Sequence, residues 1–81
     1  MGRGEFLVTL AGAGTEHRVT VPAGLLERLG LGDEDSERLI RESFAFLLER
    51  EPATSILGRF ALEDIARYFP EYPDQIEGRM S

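Results

Sequence analysis

The chain has no cysteine and no lysine, one histidine, and no apolar run approaching the length of a membrane span. Each absence excludes something. Without cysteine there are no disulfides and no thiolate metal sites to staple a small fold. With only His17 as an imidazole, a metal staple lacks ligands as well. About 20 consecutive apolar residues are needed to cross a bilayer, and no segment comes near that. The N-terminal MGRGEFLVTL also lacks the apolar core and small-residue cleavage site of a secretory leader. These features imply a cytoplasmic, soluble protein with no membrane partner and no cofactor.

What is present fits one domain over residues 1–81. A chain this short buries only about 60–65% of its unfolded surface, so its stability must come from a well-packed core or from self-association. The formal net charge is −6, and seven of the acids lie between Asp33 and Glu51 among three arginines. That surface repels phosphate backbones, which makes nucleic acid an unlikely default partner. The nine arginines are scattered, and their abundance fits a GC-rich coding bias better than a recognition cluster.

The strongest pattern is SERLIRESFAFLLER, from Ser36 to Arg50. Leu39, Ile40, Phe44, Leu47 and Leu48 recur at helical spacing and form one face, with Ser43 among them and Phe46 off the centre of the stripe. A helix this apolar needs cover on more than one side, from the rest of the chain or from a second copy. Asp33, Asp35 or Ser36 can cap its start, Arg50 suits its C-terminal dipole, and Pro52 stops it.

Upstream, Phe6–Leu10 and His17–Val21 alternate as two strands joined by the glycine-bearing segment 11–16, a β-hairpin. Phe6, Val8 and Leu10 share one face, and His17, Val19 and Val21 share one face of the partner strand. A lone ribbon is marginal in water, so it must lie on a helix or join a ribbon from another chain. Gly12 and Gly14 are turn residues; the loop leads to a strand and lacks the Lys-Ser/Thr of a phosphate loop. Pro22 suits the first turn of a short helix carrying Leu25, Leu26 and Leu29, with Gly30 as a left-handed stop and Leu31 as its apolar contact. Downstream, Thr54 or Ser55 can begin a further helix, Glu63 and Asp64 resemble a second acidic first turn, and Pro70 and Pro73 close the region. A split near Phe60 is expected, with one continuous helix across Gly58 as the alternative.

The expected architecture is therefore α+β in the order β-β-α-α-α, with an ordered core over about 5–72 and a mobile polar tail over 74–81. The expected core comprises Phe6, Val8, Val19, Val21, Leu26, Leu29, Leu39, Ile40, Phe44, Leu47, Leu48, Ile56, Leu57, Phe60, Ile65 and Phe69. The breadth of the helical stripe predicts a homodimer.

No catalytic signature stands out. His17 lacks the companions of a triad or a metal site. The acids from Asp33 to Glu37 miss the calcium-loop pattern, since Arg38 and Phe44 occupy its glycine and glutamate positions. Glu42, Glu49, Glu51, Glu63 and Asp64 have no evident partner that would raise a pKa. The expectation is a non-catalytic interaction or adaptor protein that meets an unidentified protein partner through Phe46, Tyr68 and Tyr72, aromatic residues of the kind favoured at interfaces. Ile76-Glu77-Gly78-Arg79 matches a protease recognition sequence familiar from recombinant expression and carries no functional weight.

Two local resemblances add to this. Arg18-Val19-Thr20-Val21-Pro22, followed by Leu25-Leu26-Glu27-Arg28-Leu29-Gly30-Leu31, resembles the swapped-hairpin AbrB-like domains. That resemblance implies an alternative function, a small DNA-binding regulator or antitoxin contacting DNA through Arg3, Arg18 and Arg28. The chain departs from that pattern in its acidity and in turning helical after Asp33. Arg41-Glu42-Ser43-Phe44, Phe46 through Pro52, Ser55-Ile56-Leu57 and Tyr68-Phe69-Pro70-Glu71-Tyr72 together resemble a small family of bacterial proteins with no assigned activity, which implies no function.

Overall fold

A computed structural model describes residues 3–80, and the side chains of residues 4–80. Among the described residues the chain is an α+β domain in which a three-stranded sheet and four helices surround a single core. The hairpin forms as expected and is longer at its open end: β1 (Arg3–Leu10) pairs antiparallel with β2 (Thr15–Pro22), and Phe6 faces Val19. Its loop closes through the Ala13 and Gly14 N–H groups, which donate to the Leu10 carbonyl at 3.0 and 2.8 Å.

Pro22 ends β2 in extended geometry and serves as the N-cap of α1 (Ala23–Leu29). Gly30 has φ of +72°, a left-handed position that costs a side-chain-bearing residue strain. It lets the Leu31 N–H turn back to the Leu26 carbonyl at 2.8 Å, the stop read from the sequence. A 3₁₀ turn (Asp33–Asp35) then leads into α2 (Ser36–Leu48). The Asp35 carboxylate accepts from the Gly32 N–H at 3.1 Å and locks that entry. Arg50 lies just beyond the helix and donates to the Phe46 carbonyl at 3.1 Å, as its place near the dipole's negative end suggests.

α2 is covered on two sides. At about 100° per residue, Phe44 and Phe46 point roughly 200° apart and cannot share one neighbour. Phe44 packs among His17 and Phe60 on the sheet side, at ring separations of 5.4 and 5.9 Å. Phe46 packs against Tyr72 and Phe69, at 5.3 and 5.9 Å. Tyr72 opens α4 (Tyr72–Met80), which lies along α2. The segment expected as a mobile tail is thus a helix through Met80, with Tyr72, Ile76 and Met80 buried at four-residue spacing. Pro73 does not stop it, because in a first turn the missing N–H has no partner to lose.

The region 55–69 is neither one helix nor two. A 3₁₀ turn (Ala53–Ser55) runs into a short strand, β3 (Arg59–Ala61), then a second 3₁₀ turn (Leu62–Asp64) and the single-turn α3 (Ile65–Tyr68). β3 lies parallel to β2, giving the order β1-β2-β3, and the Arg18 N–H donates to the Gly58 carbonyl at 2.7 Å.

The core differs from expectation at named positions. Leu48 and Leu57 are 45% and 52% exposed, while Phe46, Leu62, Tyr72, Ile76 and Met80 join the buried set. Leu48 falls on the last residue of α2, beyond the reach of either covering layer. Phe6, Val8, Leu29 and Phe69 are half-buried against the core.

Two buried polar groups are satisfied. Ser43 Oγ–H donates to the Leu39 carbonyl at 2.7 Å, so the Tyr72 hydroxyl, also 2.7 Å from Ser43 Oγ, must be the donor in that second bond. Burial pushes the Tyr72 phenol up from 10.0 to about 12, against the opposing hydrogen bond of Ser43. An acid whose folded pKa is raised keeps its proton while the unfolded chain loses it, so this stability is whole below pH 10 and is lost as pH rises towards 12. Each pH unit in that window removes about 1.4 kcal/mol. Urea melts at stepped pH should show that slope in the parent protein and a flattened one in Tyr72→Phe.

Candidate functional site

Chain geometry after Pro52 creates a groove. Ile56 has extended backbone, and it and its neighbour Leu57 turn to opposite sides of the chain. Ile56 is buried and Leu57 faces solvent. Its carbonyl is held by His17 Nδ1–H at 2.8 Å, which leaves Nε2 to accept from the Thr15 hydroxyl at 3.0 Å. His17 is therefore a fully satisfied strand residue that pins this loop to β2.

In β3, Phe60 points into the core between outward Arg59 and half-buried Ala61. The Asp64 carboxylate accepts from the Ala61 N–H at 3.1 Å and fixes the turn into α3. α3 ends with Tyr68 projecting outward, 67% exposed. The result is a half-open cleft of about 270 Å³. Leu47, Ile56, Phe60 and Ile65 form its floor, Leu57, Tyr68 and Phe69 its sides, and Glu51, Ser55 and Asp64 its polar margin. Glu51 is half-buried; its N–H donates to the Leu47 carbonyl at 2.9 Å, while its carboxylate has no ion-pair or hydrogen-bond partner among the described residues. Chemically, the cleft offers an apolar floor with carboxylate acceptors at its edge.

Comparison with known protein families, with curated proteins and with solved structures finds no match. The site must therefore be read from its own geometry.

Of the aromatic residues expected at an interface, only Tyr68 reaches solvent. Phe46 is 0% and Tyr72 1% exposed, so both are core residues and neither can meet a partner in the folded chain. Phe46 is sealed from outside by the Arg50 guanidinium, stacked 3.6 Å from its ring centre, and by Arg79 at 5.8 Å. Arg79 in turn grips both Glu49 oxygens at 2.8 Å, and Arg50 Nε donates to Glu71 at 3.1 Å. The hydrogen bond from Arg79 holds the Glu49 carboxyl below its usual range. A hydrogen bond from its own backbone, followed by that of Arg50, does the same for Glu71. Both shifts run opposite to what a general acid needs near neutral pH.

Arg18 and Arg28, the arginines of the DNA-binding alternative, lie exposed on β2 and α1; the side chain of Arg3 lies outside the described residues. Arg18 has Glu5 at 3.8 Å. Leu57 and Glu51, which sequence reading left out of the site, carried one usable signal: neighbouring Ile56 and Leu57 could not both face inward after a proline-terminated helix. Among the described residues no group of three His, Cys, Asp or Glu side chains could hold a metal ion, and no helix is long and apolar enough to cross a membrane.

Proposed function

We propose that this chain is a non-catalytic, cytoplasmic interaction protein that self-associates and receives an apolar, arginine- or lysine-bearing segment of a partner protein in the groove between Leu57 and Tyr68. The observation that carries this reading is the cleft itself: two exposed apolar side chains flank a continuous apolar floor, and Glu51 and Asp64 stand at its edge. A leucine or phenylalanine of a partner fits the floor, and a neighbouring cation complements the carboxylates and the net charge of −6.

The test uses a synthetic amphipathic helix with two leucines four residues apart and an adjacent arginine. Its titration should shift amide resonances of residues 51–69 with an affinity on the order of 100 μM or tighter. Leu57→Asp and Tyr68→Ala should each weaken it about tenfold, and replacing the peptide's arginine with glutamate should weaken it further. Absence of any groove shift at about 1 mM peptide would refute the proposal.

The AbrB-like DNA-binding reading ranks second. One observation favours it: the parallel register sets Arg18 beside Arg59 on the outward sheet face. Glu5 and Glu16 on the same face offset that charge. A gel shift with genomic DNA at low salt separates the two readings, with no retardation expected.

A further inference from the structure

The sheet is unevenly covered. On β2, the inward His17, Val19 and Val21 are all buried. On β1, the inward Phe6, Val8 and Leu10 are only half-buried, and outward Leu7 is 62% exposed. β1 is an edge strand of eight residues. Its hydrogen-bonding direction follows from the ladder. The Arg18 N–H points to β3, so the alternating residues His17, Val19 and Val21 direct theirs to β1, where they face Val8, Phe6 and Gly4. Glu5, Leu7 and Thr9 therefore direct their backbone N–H and C=O groups to the open edge.

We propose that a second copy of this chain docks on that edge, β1 against β1 in antiparallel register about Leu7, to form one continuous six-stranded sheet. This rests on the proposed self-association and names its surface. The register is chosen by chemistry. Centred on Leu7, the outward row sets Leu7 beside Leu7 of the second copy and Glu5 beside Thr9. The inward row sets Phe6 beside Val8 and Leu10 beside Gly4. Every inward pair is then apolar or apolar against glycine, no like charges meet at Glu5, and both half-covered rows gain cover. Shifting the centre to Phe6 sets Leu7 against Glu5, and shifting it to Glu5 sets Glu5 against itself. The helical stripe that suggested a dimer from sequence plays no part, because α4 and the sheet already cover it.

The cysteine-free chain makes the test clean. A hydrogen-bonded antiparallel pair has Cα atoms about 5.5 Å apart, inside the roughly 4.4–6.8 Å a disulfide spans. In the same register the two Glu5 positions stand about 14 Å apart, as do the two Thr9 positions. Under mild oxidation Leu7→Cys should give a covalent dimer, while Glu5→Cys and Thr9→Cys should stay uncross-linked. In sedimentation, the parent should dimerise at micromolar to millimolar concentration, more strongly as salt screens the like net charges, and Leu7→Lys should weaken this at least about tenfold. Leu7 faces solvent, so the circular dichroism of these variants should match the parent. A parent monomeric at about 1 mM removes self-association altogether. A dimer that persists undiminished in Leu7→Lys, or that cross-links through Glu5→Cys and not Leu7→Cys, leaves self-association standing and overturns this surface.

Discussion

Phe46→Ala should bring the domain close to unfolding at room temperature. Its ring is wholly buried, in edge contact with Tyr72 and Phe69 and capped by the Arg50 guanidinium. Truncating a buried phenylalanine costs about 3–5 kcal/mol when the surroundings cannot collapse into the space. Collapse is hindered here, because Arg50 and Arg79 are tethered to Glu71 and Glu49 and would be left stacked over a void. Stabilities of such domains run about 5–15 kcal/mol, with a small chain near the low end. A thermal melt should show a fall on the order of 15 °C or more. A loss of under about 1 kcal/mol would mean Phe46 is not enclosed as described.

Ile76→Asp should be nearly as damaging. Ile76 is fully buried in α4, and a carboxylate there loses its hydration without gaining a partner. The cost is about 4 kcal/mol or more, either as lost stability or as release of α4 from α2. Gln75→Asp, one residue away and exposed, is the control and should stay within about 0.5 kcal/mol of the parent. Equal, small effects of the two substitutions would return residues 74–80 to the status of a tail. α4 is held by more than apolar contact: Arg38 donates to the Arg79 carbonyl at 3.3 Å, and Arg79 grips Glu49. The four-residue motif that matches a protease site supplies two of these anchors, Ile76 and Arg79.

These two residues also mark where sequence reading stops. The hairpin, the α1 stop at Gly30 and the apolar face of α2 follow from local periodicity and turn chemistry, and all three were legible. The second cover of α2 was not, because Phe46 declares its partner only once Tyr72 has been placed on a helix. Tyr72, Ile76 and Met80 do form a stripe, but Pro70 and Pro73 read as terminators and masked it. β3 was hidden for another reason: Arg59–Ala61 is too short for a period-two signal, and its pairing is fixed by His17 and Arg18 some forty residues away. At the groove, Tyr68 is exposed as the sequence suggested, whereas Leu57, expected in the core, is not buried, since leucine reads as an inside residue.

The parallel pairing of β2 with β3 has a consequence for synthesis of the protein. The hairpin leaves the ribosome before β3 and α4, yet its inward face has no complete cover until β3 has joined it and α4 has closed over α2. Contacts this distant in sequence form slowly, and an exposed strand edge is vulnerable while it waits. Folding of this domain is thus expected to be completed only after Met80 has cleared the exit tunnel, with the nascent hairpin as the stretch a chaperone would hold.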